Sequence, residues 1–326
     1  MTIPIKQNIT YFGRTNFREE HNLFGIYQSD RLLHTYIIGK TGTGKSSLLK
    51  TKILQDIYFN RGLCLLDPHG DLASSIYSEI PEEKKKDVVY LDIADTSLPY
   101  GYNPLKKVSR EKQSLVVSGI LEIFHKLWGD KAWGARIENI MRYILFTLLS
   151  QENPSMRDII TILHDEEFRR LCILNVQDED IRKFWYGEFK SYTKNDFTAI
   201  YNKVGAFLSH KAIKRFVIEN MHQISLRKMM DEGKVLLVNI SKGKLGSDAS
   251  DVLGSLFLNS IALSAFSRID TPEEQRKSFF VYLDEFQNFT TESIANMLSE
   301  LRKFRLGLSS VISISHNFRQ RLEMLF

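Results

Sequence analysis

Gly39-Lys40-Thr41-Gly42-Thr43-Gly44-Lys45-Ser46 fills every fixed position of the pattern G-x-x-x-x-G-K-[ST], and its surroundings decide how the chain folds. Upstream, His34-Thr35-Tyr36-Ile37-Ile38 is a short β-branched and aromatic run that reads as a buried strand. Downstream, Ser46 to Tyr58 carries apolar residues at Leu48, Leu49, Ile53, Leu54, Ile57 and Tyr58, which is helical spacing. A strand, a glycine-rich turn and a helix N-terminus together aim backbone N–H groups and a positive dipole end at an anion. Gly42 and Gly44 let the backbone wrap a phosphate without Cβ clashes. Gly39 to Ser46, with Ser47 after them, therefore read as a cradle for a nucleoside triphosphate. Lys45 is expected at the β- and γ-phosphates, and the Ser46 hydroxyl on Mg²⁺.

The same alternation of elements extends along the chain. Apolar runs that read as strands occur at Tyr36–Ile38, Leu63–Leu66, Val88–Leu91, Val235–Ile240, Phe279–Leu283 and Ser310–Ser315. Most are continuous, as in a parallel sheet covered on both faces. Helix-like segments separate the first three, and likewise the last three, which indicates right-handed βαβ units. Between Pro104 and Gly233 no strand is evident. The spacing of Ile137, Ile140, Met141, Ile144, Leu145 and Leu148 is helical there. The expected organisation is an extended cap over 1–30, an α/β nucleotide-binding core over 31–103 and 233–326, and an all-helical insertion over 104–232.

Composition sets wider bounds. A chain of 326 residues, 43% apolar and 25% charged, is ordinary for a globular protein of about two domains. A net charge of +5 is compatible with nucleic acid without requiring it. Cys64 and Cys172 lie far apart in apolar segments, so no disulfide framework is indicated. The N-terminus has no signal-peptide apolar region. The most apolar stretch, Val252 to Phe266, is interrupted by Ser255, Asn259, Ser260 and Ser264, which suits a core helix better than a membrane span. The expected location is cytoplasmic, with any membrane association supplied by partners.

Phe279-Phe280-Val281-Tyr282-Leu283-Asp284-Glu285 supplies the second half of a hydrolytic site, an apolar strand ending in two carboxylates. Asp284 is expected to bind Mg²⁺, and Glu285 to polarise the water that attacks the γ-phosphate. Asn202-Lys203-Val204-Gly205 has glycine where guanine-reading N-K-x-D has aspartate, which disfavours guanine. His316 and Asn317 end the last apolar run and are candidate γ-phosphate sensors. Arg302 in Leu301-Arg302-Lys303-Phe304-Arg305, at the end of a helix, is the favoured transition-state arginine, with Arg31 an alternative. Asp67, His69 and Asp71 read as a turn in which Asp71 caps the next helix. Lys242 and Lys244, just after a strand, are candidates to grip a DNA backbone, against the plainer reading of an exposed charged loop.

Further blocks carry a resemblance to a known group. Leu65-Leu66-Asp67-Pro68-His69-Gly70-Asp71-Leu72, Tyr102-Asn103-Pro104-Leu105, Trp133-Gly134-Ala135-Arg136 and Asp284-Glu285-Phe286-Gln287-Asn288-Phe289 span nearly the whole chain. With Leu298-Ser299-Glu300-Leu301-Arg302-Lys303, they resemble the HerA/FtsK-type motor ATPases, closest to the conjugative coupling proteins of type IV secretion. The resemblance implies a P-loop NTPase core of the RecA/ASCE kind, a hexameric ring, ATP and Mg²⁺ at subunit junctions, and DNA in a central channel. It also implies relaxase or secretion-channel partners. Two departures stand out: Asn317 occupies a position where the family usually has glutamine, and relatives generally continue further beyond the last strand. The expected activity is ATP-driven DNA translocation in conjugative transfer. A HerA-like repair translocase feeding a nuclease and a non-motor ATP-dependent adaptor are the rivals.

Overall fold

The structure is a computed structural model that describes residues 6–18, 20–106, 108–129, 133–219, 222–291, 296 and 300–313. Its ten strands are β1 (Ile9–Arg14), β2 (Leu23–Tyr27), β3 (Thr35–Gly39), β4 (Gly62–Asp67), β5 (Val88–Asp92), β6 (Tyr100–Gly101), β7 (His222–Gln223), β8 (Val235–Asn239), β9 (Phe279–Leu283) and β10 (Leu306–Ser313). The six apolar runs picked out in the sequence form one sheet, ordered β3-β10-β9-β4-β8-β5, with every pair parallel.

Both faces of that sheet are covered, which is why β4, β8 and β9 are apolar without alternation and buried throughout. Leu63, Leu65, Val235, Leu237, Phe280 and Tyr282 face helices Lys45–Tyr58 and Asp71–Glu79. Cys64, Leu66, Leu236, Val238, Val281 and Leu283 face the other way, into a larger core shared with helices Arg110–Trp128, Ala135–Leu149 and Ser247–Phe266. Strand β3 differs from the expected buried strand. It lies at the edge of the described sheet, and Tyr36 and Ile38 are each more than half exposed.

The segment between β6 and β7 is helical, as its periodicity indicates, from Arg110–Trp128 through Lys194–Ser209 to Lys211–Lys214. Its ends are drawn together by a feature the sequence did not signal. His222–Gln223 pairs in parallel with Tyr100–Gly101 as a two-residue ladder. Two-residue strands carry too little pattern to be recognised. Helix Ser247–Phe266 lies inside a 24-residue stretch apolar enough to cross a bilayer, but 67% of that stretch's most apolar window is buried against the protein.

The β1–β2 hairpin docks on helix Lys45–Tyr58, where Gln55 exchanges hydrogen bonds of 2.9 Å with the Tyr11 backbone N–H and carbonyl. Beneath it sits a buried ionic cluster. Arg31, only 1% exposed, donates to both oxygens of Asp56 at 2.8 and 2.7 Å, and to the Tyr282 hydroxyl at 2.6 Å. Its guanidinium also lies 3.5 Å from the centre of the Phe280 ring. A guanidinium buried and paired in this way does not fit the alternative reading of Arg31 as the transition-state arginine. Lys52, buried nearby and bonded to Ser309 at 2.9 Å, has its pKa lowered to about 8 by burial, with the Arg31 charge adding to the effect.

Candidate functional site

In a parallel α/β sheet, ligands gather at the carboxyl ends of the strands, where the connections leave toward opposite faces. Here those ends carry Gly39 (β3), Ser313 (β10), Asp284 just after β9, Asp67 (β4), Asn239 (β8) and Asp92 (β5). The register fixes their neighbours: Gly39 lies opposite Ser313, Leu66 opposite Leu283, and Asp67 opposite Asn239.

The loop after β3 is solvent-exposed and turns through Gly42 (φ 80°) and Gly44 (φ 88°), conformations that side chains rarely adopt. Gly44 is the N-cap of helix Lys45–Tyr58, so Ser46 and Ser47 occupy its first turn. The Thr43 hydroxyl and the Lys45 ammonium both donate to the Lys40 carbonyl, at 2.7 and 2.8 Å. No atom lies within 4 Å of a Cβ placed on Gly42 or Gly44. The outer wall of the loop is open to a ligand.

Two strands away, Asp284 is 6% exposed, and its pKa is pushed up to about 6 by burial first, then by the charges of Asp67 and Glu285. Its carboxylate accepts one hydrogen bond among the described residues, from the Glu285 backbone N–H at 3.1 Å. Buried carboxylate oxygens facing another carboxylate are a donor set for a hard divalent cation, so the residues present fit Mg²⁺. Glu285 takes a left-handed backbone (φ 51°), uncommon for a residue with a side chain. That turn brings its carboxylate to the edge of β10. There Ser313 donates to Oε1 at 2.6 Å, and the Gln287 amide donates to Oε2. Glu285 thereby lies beside the strand position opposite Gly39.

Other residues stand differently from expectation. Asp71 does not cap its helix: the N-cap is Gly70, at φ 89°. Asp67 does the capping work from the end of β4, accepting from His69 N at 2.9 Å and from Ala73 N at 2.9 Å. Gly70 must be glycine also because a Cβ there would lie 2.4 Å from Asn239 Oδ1. Lys242 and Lys244 lie in a short helix and form ion pairs with Asp251 and Asp92, both at 2.9 Å, so the plainer reading of that charged loop fits better. Arg302 sits on the 3₁₀ turn Leu301–Phe304, which precedes β10. The eight residues of β10 then separate it from the phosphate loop by roughly 25 Å. At that distance the Arg302 side chain does not reach the phosphate loop of the same chain. His316, Asn317, Leu298 and Ser299 lie outside the described residues. Ser313 and Gln287 were missed, because the contacts that matter are formed by the fold and carry no local pattern.

The sequence matches no protein-family model and no curated protein sequence. Solved structures share the fold. The bacterial conjugative coupling protein TrwB, in its unbound form, aligns with a TM-score of 0.63 at 19% identity, over 93% of this chain and 69% of that one. TrwB in complex with the non-hydrolysable ATP analogue ADPNP gives 0.64 at 18%, over 96% and 69%. VirB4 of Thermoanaerobacter pseudethanolicus gives 0.55 at 14%, over 93% and 76%. The likeness is one of fold: a parallel sheet of the P-loop NTPase kind, matched along nearly the whole described chain.

Proposed function

We propose that the chain is an ATP-hydrolysing motor that moves DNA, of the kind that serves conjugative transfer and type IV secretion. The observation that carries the hydrolytic part is the meeting of Glu285 and Ser313 beside Gly39, with Asp284 and Asp67 next to them, at the sheet edge that bears the phosphate loop. Lys45 releases the Lys40 carbonyl and turns to the phosphates. Backbone N–H groups of Gly42 to Ser47 would face them, and Ser46 and Asp284 would hold Mg²⁺. Bound Mg·ATP supplies the bond that is broken. Glu285 takes a proton from the attacking water, its carboxylate kept in one orientation by Ser313 and Gln287. Because Arg302 lies at the amino end of β10, away from the phosphate loop, it could stabilise the transition state only in a neighbouring subunit's site, which is the arrangement of a ring.

Support for DNA as the moved polymer is the fold shared with TrwB, a conjugative coupling protein, together with the net charge of +5. TrwB has been solved with ADP and Mg²⁺ and also with the GTP analogue GDPNP. Preference for adenine in this chain is therefore part of the proposal. The test is phosphate release from ATP and from GTP, with and without single- or double-stranded DNA, alongside particle mass by light scattering. The motor reading expects ATP turnover to rise several-fold with DNA in a multi-subunit particle. A monomer with DNA-independent turnover contradicts it and favours the adaptor.

A further inference from the structure

Helix Arg110–Trp128 belongs to the segment between β6 and β7, yet its last turn reaches the nucleotide edge of the sheet. There the Lys126 ammonium donates to the backbone carbonyl oxygens of Gln287 (3.4 Å), Asn288 (3.0 Å) and Thr290 (2.7 Å). An ammonium carries three donors, enough to serve all three. The carbonyls belong to the 3₁₀ turn Phe286–Asn288 and the residues after it, which follow directly on Asp284 and Glu285. The turn is pinned from behind as well. Phe289 is fully buried against Gly254 of helix Ser247–Phe266, so closely that a Cβ on Gly254 would lie 2.2 Å from the ring. From the same turn, the Gln287 amide N–H₂ grips the Glu285 carboxylate, while its buried Oε1 meets no partner among the described residues.

These contacts form an unbroken chain from the helical segment through Lys126, the turn and Gln287 to Glu285. We infer that Lys126 is a positioning residue, which ties the helices between β6 and β7 to the turn that aims Glu285. Displacement of those helices is then transmitted to the carboxylate at the hydrolytic centre. This inference rests on the reading of Glu285 as the group that activates water. It assigns to Lys126 a role that nothing in the phosphate-loop or strand-end patterns marks. A displacement of about 1 Å in a reacting group can cost up to about 10²-fold in rate, so a contact that adds little to stability can still govern turnover.

The test uses the full chain and three variants. Lys126→Met keeps the stem and removes the donors. It should lower kcat for ATP about tenfold with KM and nucleotide binding unchanged, and should speed amide exchange over 286–290. Lys126→Arg, which restores donors, should recover most of the loss. Gln287→Leu, cut at the other end of the same linkage, should lower kcat similarly, and combining it with Lys126→Met should cost little more than either alone. Wild-type kcat and unchanged exchange in Lys126→Met would overturn the inference while leaving the ATPase reading intact. So would fully multiplicative losses in the double variant. Wild-type protein without Glu285-dependent turnover would overturn both, and the exchange measurement would still report whether the Lys126 contact exists.

Discussion

Two buried carboxylates of this molecule are treated in opposite ways. Asp56, on helix Lys45–Tyr58, is fully buried and fully satisfied: Arg31 and Arg61 donate to one oxygen, Arg31 and the Tyr282 hydroxyl to the other, all within 2.8 Å. Asp284, at the carboxyl end of β9, is almost as buried, but has one backbone donor and a second carboxylate for a neighbour. The two lie near one another, since Tyr282, a donor to Asp56, precedes Asp284 by two residues. Buried charge costs free energy unless it is paired. Where the protein meets that cost with its own cations, the cluster is architecture. Where a carboxylate is left facing other carboxylates, the site suits a bound cation.

That contrast can be broken at either end. The largest effect on stability is expected at the satisfied end. Asp56→Ala strands the Arg31 charge in the core, and breaking a buried pair in this way typically costs about 3–5 kcal/mol. A marked fall in Tm by calorimetry should result, with nucleotide affinity of the remaining folded protein unchanged. Unaltered Tm would mean that the Arg31–Asp56 cluster is not holding the hairpin and helix together. At the open end the effects reverse. Lys45→Ala removes a partly buried cation at the first residue of its helix and should leave Tm nearly unchanged, while weakening binding of a fluorescent ATP analogue by roughly 10- to 100-fold, on the order of 1.5–3 kcal/mol for hydrogen bonds to a charged group. Equal affinity in both proteins would remove the phosphate loop from the account.

How far the sequence reveals this depends on how local the cause is. The six core strands are legible because a strand buried on both faces has to be apolar at consecutive positions, as Leu63–Leu66 and Phe279–Leu283 are. The phosphate loop is legible because the turn itself demands glycine at Gly42 and Gly44. Strand β3 looks buried on composition, yet Tyr36 and Ile38 are exposed, since composition does not report a strand's place in the sheet order. Arg31 looked free because its partners Asp56 and Tyr282 are 25 and 251 residues away. The supports of the Glu285 carboxylate were hidden for the same reason. Ser313 is 28 residues from Glu285, and Lys126 is 161 residues from Gln287. The Asp67 cap escaped notice because strand β4 ends four residues before helix Asp71–Glu79 begins, and capping rules look for the cap at the boundary itself.

The measurement that bears most directly on the account is phosphate release from saturating Mg·ATP by the wild-type chain and by Glu285→Gln, with nucleotide binding measured on the same samples. The account predicts equal binding and a rate lower by roughly 10²- to 10⁴-fold, the usual contribution of a positioned general base. Equal rates in the two proteins would contradict it.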